Sequence, residues 1–203
     1  IFTLKVSILQ GNIRMTDLFK NWTSLRLGFG GARISGEGAG YGFGEISESE
    51  SIELLQYAQS VGVTVFDTAP IYGFGESEKR IGKAVKSSRE KVCLISKSGV
   101  TWHDNKRVNM TNEPKTVVKM FEQSLRDLQS DYIDIYMIHW PDQEVDIRRP
   151  LEILENYKSQ GKIKHIGLCN THLDDLELAK EVTNIDVVQS QLNYFERQSA
   201  KEL

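Results

Sequence analysis

From residue 25 onward, short aliphatic and β-branched runs alternate with amphipathic stretches, and this rhythm restricts the chain to a small set of folds. The runs fall at 25–30, 63–68, 92–97, 133–139, 164–169 and 187–192. Ile133-Asp134-Ile135-Tyr136-Met137-Ile138 is almost continuously apolar, as expected of a strand covered on both faces. Between the runs, apolar residues recur at helical spacing. Residues 47–61 carry Ile52, Leu55 and Ala58 behind Ser47 or Ser49 as N-cap. Residues 76–86 carry Ile81, Ala84 and Val85. Residues 114–128 and 150–160 each open on a proline, which suits a first helical turn, and Gly161 ends the second. Residues 173–182 predict a fifth helix, and 199–203 the start of a sixth. Repeated strand–helix units build a parallel sheet with right-handed crossovers.

Such a sheet is either open or closed into a barrel, and the first strand-to-helix turn separates the two. An open dinucleotide-binding sheet wants a G-x-G-x-x-G turn running directly into a helix. Here Gly28-Phe29-Gly30-Gly31 leads into a glycine-rich loop, 35–44, which predicts a loop over a barrel mouth. The expected class is therefore α/β, a (β/α)₈ TIM-type barrel with about six of its strands present. Residues 1–24 stand outside the rhythm. Residues 2–9 and 13–16 flank Gln10-Gly11-Asn12, which reads as a hairpin plugging the barrel bottom. Residues 1–203 are expected to form one domain, since no linker or low-complexity tract interrupts them.

Charge and composition remove other classes. The net charge of −3 gives no pull toward nucleic acid or anionic membrane. No apolar run approaches the roughly 18 residues of a membrane span, and the N-terminus shows no secretory signal. Cys93 and Cys169 lie far apart in strand-like runs, so neither a disulfide nor a metal site is expected. A cytoplasmic setting follows as the default.

Chemistry in a (β/α)₈ barrel gathers at the C-terminal ends of the strands. Those ends read Phe66-Asp67-Thr68-Ala69-Pro70-Ile71-Tyr72-Gly73, Ser96-Lys97-Ser98-Gly99, His139-Trp140-Pro141-Asp142, Cys169-Asn170-Thr171, and Gln189 with Gln191 and Asn193. Taken singly, Asp67 is a turn cap, Tyr72 a half-buried aromatic and His139 a core histidine. Lys97 is harder to dismiss, because a buried lysine needs a carboxylate and Asp67 is the one an adjacent strand offers. If the barrel closes, all four share one mouth. Reduction of a carbonyl by hydride transfer needs a proton donor at oxygen and a nicotinamide at carbon. Tyrosine, with a free pKa of about 10, is a reluctant acid or base. A nearby ammonium is expected to lower that value, and the histidine to orient and polarise the carbonyl.

At these residues the sequence resembles the aldo-keto reductase family, through positions 28–196. The most specific piece is Asp67-Thr68-Ala69-Pro70-Ile71-Tyr72-Gly73-Phe74-Gly75-Glu76-Ser77-Glu78. Ser96-Lys97, His139-Trp140-Pro141-Asp142 and Gly161-Lys162-Ile163-Lys164-His165-Ile166-Gly167-Leu168-Cys169-Asn170 follow in order. The opening Leu25-Arg26-Leu27-Gly28-Phe29-Gly30, with Gly36-Glu37-Gly38, is similar to bacterial members. The resemblance implies that Tyr72 is the proton donor, that Lys97 and Asp67 tune it, and that His139 positions the carbonyl. It implies that Asn170 and Gln189 hold the nicotinamide carboxamide, beside Cys169, where the family usually has serine, a stronger hydrogen-bond partner. Trp102 and Trp140 are candidate pocket residues. The implied activity is reduction of small aldehydes or ketones to alcohols with NADP(H), NAD(H) being left open. A second implication, from channel-associated members, is a silent barrel that senses cofactor; retention of His139 points instead to catalysis.

The family barrel has two further strands, which carry most contacts to the cofactor's phosphates and adenosine. The C-terminal part of the barrel is therefore expected to be missing from this sequence. A product ending at Leu203 would leave the edges of its outer strands open. It is expected to be poorly soluble or oligomeric and to bind cofactor weakly.

Overall fold

The computed structural model describes residues 18–20, 22–23, 25, 27–36, 44–195 and 197. Six strands form one parallel sheet: β1 (Phe29–Gly30), β2 (Val65–Asp67), β3 (Cys93–Ser98), β6 (Ile133–Ile138), β7 (Ile163–Cys169) and β8 (Val187–Gln189), neighbours in that order. β4 (Val100–Trp102) and β5 (Val108–Met110) make a separate antiparallel hairpin. The helices are α1 (Glu48–Ser60), α2 (Glu76–Val85), α3 (Pro114–Asp127), α4 (Arg148–Ser159) and α5 (Leu173–Lys180).

Side chains alternate across the sheet, as the two-residue strand period requires. Phe66, Leu94, Tyr136, Ile138, Ile166, Leu168 and Val188 face the helices, where Leu55, Ile81, Val117, Phe121, Leu154 and Leu176 cover them. Val65, Cys93, Ile95, Ile135, Met137, Cys169 and Val187 face the other way and form an inner cluster. Asp134, the polar residue inside the apolar run, is fully buried and held by cations. It accepts from the Leu94 amide at 3.0 Å and pairs with Arg89 at 2.7 Å and Lys164 at 3.2 Å.

The sheet is strongly curled. β2 and β8 are four strand positions apart, which in a flat sheet would separate them by about 19 Å at the usual spacing. Instead the Gln189 amide donates to Asp67 at 3.2 Å. The inner face is thus the wall of a lumen, and the architecture is a parallel half-barrel of the (β/α)₈ type.

Leu18, Phe19 and Trp22 pack on the inner cluster. The Trp22 ring stands edge-on to His165, with centroids 6.2 Å apart, and the Thr64 hydroxyl donates to the Trp22 carbonyl. This cover comes from the turn before the first strand. The expected hairpin at 2–16, the expected helix at 199–203 and loop residues 37–43 lie outside the described residues.

Several boundaries differ from expectation. The runs at 25–30 and 187–192 contract to β1 and β8, which each pair with a single neighbour among the described residues. The helix expected at 150 begins at Arg148, whose amide is capped by the Asp146 carboxylate at 3.0 Å. Pro150 is its third residue, still where a missing N–H costs nothing. Ser47 caps α1 with a full capping box to Glu50.

Gly167 sits on the lumen side of β7, where a Cβ would lie 2.8 Å from the Val187 carbonyl oxygen and 3.0 Å from Met137 Cγ. Backbone cannot yield as a flexible side chain can. Gly167→Ala is expected to cost about 1–3 kcal/mol, read as a lower urea midpoint with an unchanged slope.

Candidate active site

The site is built on the tight segment that links β2 to α2. After Asp67, the Thr68 amide bonds to Ile95 at 2.8 Å and continues the sheet for one more residue. The chain then winds through Ala69–Gly75, with the Gly75 amide donating to Pro70 at 2.7 Å. Gly73, Phe74 and Gly75 all have positive φ (68°, 53° and 96°). A Cβ on Gly73 would come within 2.7 Å of the Ser35 carbonyl, so glycine is required there on both counts. Ser77, in the first turn of α2, clasps the segment: its hydroxyl donates to Gly31 at 2.9 Å and lies 2.8 Å from the Thr68 hydroxyl. Tyr72 is thereby held by backbone and helix at the lumen's mouth.

Asp67, Lys97 and His139 lie at the C-terminal ends of β2, β3 and β6, all on the inward parity. Lys97 Nζ is 2.5 Å from Asp67 Oδ1 and 2.9 Å from the Thr68 carbonyl. The lysine is 1% exposed. Its burial pushes its pKa down, but the Asp67 carboxylate, with smaller help from Tyr72 and Cys169, reverses this, and the net direction is up. Lys97 is therefore a permanent cation. Its ammonium is 5.6 Å from the centre of the Tyr72 ring. The same ring meets His139 edge-on, with centroids 5.9 Å apart and planes at 88°.

These contacts correct one expectation. The Tyr72 pKa is raised, not lowered: burial is the largest cause, Lys97 pulls it down, and Asp67 adds to the rise. Burial outweighs the ammonium's pull, so the phenol remains protonated. His139 is shifted the opposite way, to about 3, first by burial and then by Lys97. Its imidazole is neutral at any physiological pH and can offer a hydrogen bond but not a spare proton.

Cys169, Asn170 and Gln189 line the next stretch of the mouth. The Cys169 thiol, pushed up to about 12 by burial and the nearby Asp67 charge, donates to Gln189 Oε1 at 3.3 Å. The Asn170 amide reaches the His139 carbonyl at 3.1 Å and Cys169 Sγ at 3.2 Å. Asn170 has a φ of 54°, a conformation asparagine tolerates better than most residues. The two side-chain carboxamides, at the C-terminal ends of the adjacent β7 and β8, form a set of donors and acceptors at the mouth.

Trp102 and Trp140 lie at the rim, 36% and 43% exposed. Trp102 does not face Tyr72 directly; it packs on Phe74, with centroids 5.1 Å apart. The β4–β5 hairpin that carries it leans on the Tyr72 loop, Val100 and Val108 packing with Ala69, Ile71, Tyr72 and Phe74. Its base is tied down by the buried Asn112, which donates to the Trp140 carbonyl at 2.8 Å and, through its amide, to Asp142 at 3.0 Å. The hairpin and Asn112 were not anticipated. Their one legible signal is Gly99 directly after Lys97-Ser98, now seen at a φ of 100° against the Asn112 side chain. Among the described residues no group of three or more His, Cys, Asp or Glu could hold a metal ion, and no helix is long and apolar enough to cross a membrane.

A family model described as "Aldo/keto reductase family" matches residues 26–203. Aldo-keto reductase YhdN of Bacillus subtilis is 37% identical over 77% of this chain and 47% of its own length. The NADH-specific methylglyoxal reductase of Escherichia coli is 30% identical over 89% of this chain and 59% of its own. Among solved structures, glycerol dehydrogenase from Gluconobacter oxydans superposes with a TM-score of 0.79 at 30% identity, covering 87% of this chain and 54% of that one. An aldo/keto reductase from Klebsiella pneumoniae in complex with NADP and acetate gives a TM-score of 0.62 at 26% identity, covering 77% and 49%. The chain thus spans about half the length of the relatives it matches.

Two tests probe the electrostatics of the site. Lys97→Met strands a buried carboxylate and is expected to cost about 3–5 kcal/mol. Adding Asp67→Asn should recover much of it; strictly additive losses would show that the two residues are not coupled. For His139, a folded pKa of about 3 lies below the usual value of about 6.5. The unfolded chain then binds more protons between those values, so stability present above about pH 6.5 is lost as pH falls toward 3. An NMR titration in which the His139 imidazole protonates near 6.5 would contradict this.

Proposed function

The chain belongs to the aldo/keto reductase family, and from that premise we propose that the protein it forms part of is a nicotinamide-dependent oxidoreductase that interconverts small carbonyls and alcohols. The observation that carries this reading is the position of Tyr72. Its ring lies near both the Lys97 ammonium and the neutral His139 imidazole, at the mouth of the lumen.

Reduced nicotinamide, when bound, supplies the hydride to the carbonyl carbon. This chain's residues do the rest. Tyr72 stays protonated because burial opposes the phenolate, so it is in the form that can donate to the carbonyl oxygen as charge builds there. Lys97, held charged by Asp67, offsets the phenolate that forms once the proton has left. His139, neutral, donates a hydrogen bond to the same oxygen and aims the carbonyl. In the oxidative direction the phenolate takes the proton back. Asn170 and Gln189 would hold the nicotinamide carboxamide, with Cys169 beside them. For Gln189 this means exchanging its present bond to Asp67 for one to the cofactor.

NADP(H) is the proposed cofactor. The Klebsiella pneumoniae neighbour was solved with NADP, while the Escherichia coli relative is named as NADH-specific, so the two must be compared directly. The relatives named for methylglyoxal and glycerol favour small polar substrates. Trp102 and Trp140 would form the outer rim of that pocket. Residues 1–203 would constitute most of a single barrel domain.

Tyr72→Phe in the whole protein is expected to reduce carbonyl reduction by about 10²–10⁴-fold, with cofactor affinity retained because the ring remains. Steady-state kinetics alongside cofactor fluorescence titration checks both halves; undiminished turnover would remove Tyr72 from the mechanism.

A further inference from the structure

Away from the mouth, a polar cluster interrupts the apolar wall between the sheet and its helices. It comprises Glu78 of α2, Ser96 and Ser98 of β3, Ser124 of α3 and Tyr136 of β6, each no more than 1% exposed. One direct bond joins them: Ser96 donates to Glu78 Oε1 at 2.6 Å. Ser124 lies beside both the Glu78 carboxyl and the Tyr136 hydroxyl, and Ser98 beside the same hydroxyl. These neighbours are close, yet no hydrogen bond joins them. Glu78 Oε2 and the hydroxyls of Ser98, Ser124 and Tyr136 are all buried without a hydrogen-bond partner.

We propose that these four atoms form a binding site for a buried water molecule, sealed between α2, α3 and the outer faces of β3 and β6. Orphaned polar atoms are rare in folded proteins, and each calls for a partner. Four that converge from four elements match the two to four partners, roughly, that an internal water takes. Direct hydroxyl-to-carboxyl bonds would satisfy some of them, whereas a small ligand with both donors and acceptors would serve all four. Water meets that need; a cation does not, because the serine and tyrosine hydroxyls bring no further charge.

The carboxyl belongs to this site as a neutral acid. Lys97 is on the opposite face of β3 and already paired with Asp67. Asp127, at the end of α3, repels a second negative charge, and Tyr136 of β6 brings none of the positive kind. Burial, the largest cause, lifts the Glu78 pKa to about 7 against the pull of Ser96 and Ser124. Protonated, Glu78 donates to the water while accepting from Ser96. The bond from Ser96 and the water together fasten α2, the helix that closes the Tyr72 segment, to the strand that carries Lys97.

The proton has a defined sign in stability. The folded value of about 7 lies above the ordinary 4.5. The contribution is therefore complete below about pH 4.5 and is lost as pH rises through 7. Three measurements on the intact protein test the proposal. A high-resolution crystal structure should show an ordered water bonded to Glu78 Oε2 and at least one of the three hydroxyls; a dry pocket overturns the site. NMR of glutamate-labelled wild-type protein should show one side-chain carboxyl titrating near 7 rather than 4.5, and that resonance should be missing in Glu78→Gln. If every glutamate titrates in the ordinary range, the neutral acid is refuted without recourse to a variant. Glu78→Gln, which keeps shape and hydrogen bonding, should also flatten the loss of stability from pH 5 to 7; an unchanged slope counts against the assignment.

Discussion

A buried lysine without a partner would give up its proton, and the arrangement at the mouth of the lumen depends on Lys97 not doing so. Asp67 is what prevents it. The pair is almost wholly out of water, where the attraction is strong but the desolvation cost is of the same order. Such a pair is therefore weak evidence for stability and better understood through what it imposes on its neighbours. Lys97 lowers the basicity of His139, and with burial keeps that imidazole neutral. Asp67 partly cancels the field of Lys97 at Tyr72, which leaves the phenol protonated. One ion pair thus adjusts both groups beside it, while burial, the larger influence on each, decides their protonation state.

That pairing needs the sheet to curl. Asp67 and Lys97 are on neighbouring strands and would meet in any parallel sheet of this order. Gln189 would not, since four strand positions separate it from Asp67. The curl is supported from within by Ile95, Ile135, Met137 and Val187. It depends on the smallness of Gly167, where any side chain would collide with the β8 backbone. Cys169, Asn170 and Gln189 already meet across the adjacent strands β7 and β8, and the same curvature carries that bonded set to the ion pair.

The wall behind the site is not uniformly apolar either. Asp134 of β6 lies between the Arg89 and Lys164 cations, whereas the Glu78 cluster, which includes Tyr136 of the same strand, is joined by one bond from Ser96. Asp134 lies inside a run that reads as hydrophobic, and Glu78 at the polar start of α2. Glu78 is indistinguishable in a helical pattern from an exposed glutamate, because the pattern records the type of residue at a position and not what the neighbouring helix leaves beside it. Asn112 escaped notice for the same reason: its role comes from Gly99 and Trp140, 13 and 28 residues away.

Alternation of strand and helix, visible in the order of residues, determined that the chain would build a parallel sheet and which side chains would share its inner face. Parity is a local property of an extended backbone, so Asp67, Lys97 and His139 were legible as candidates from their positions in the runs alone. Local signals also marked an N-cap at Ser47 or Ser49, of which the structure uses Ser47. The sequence did not determine the length of the outer strands, which depends on pairing, or the β4–β5 hairpin, whose short strands look like loop. Nor could it fix the direction of the Tyr72 shift. Proximity of a cation argued for a lower pKa; only the tertiary structure showed that burial and Asp67 outweigh it. Protonation is decided by distance, burial and the sum of nearby charges, and those quantities exist only once the sheet has curled and the helices have closed over it.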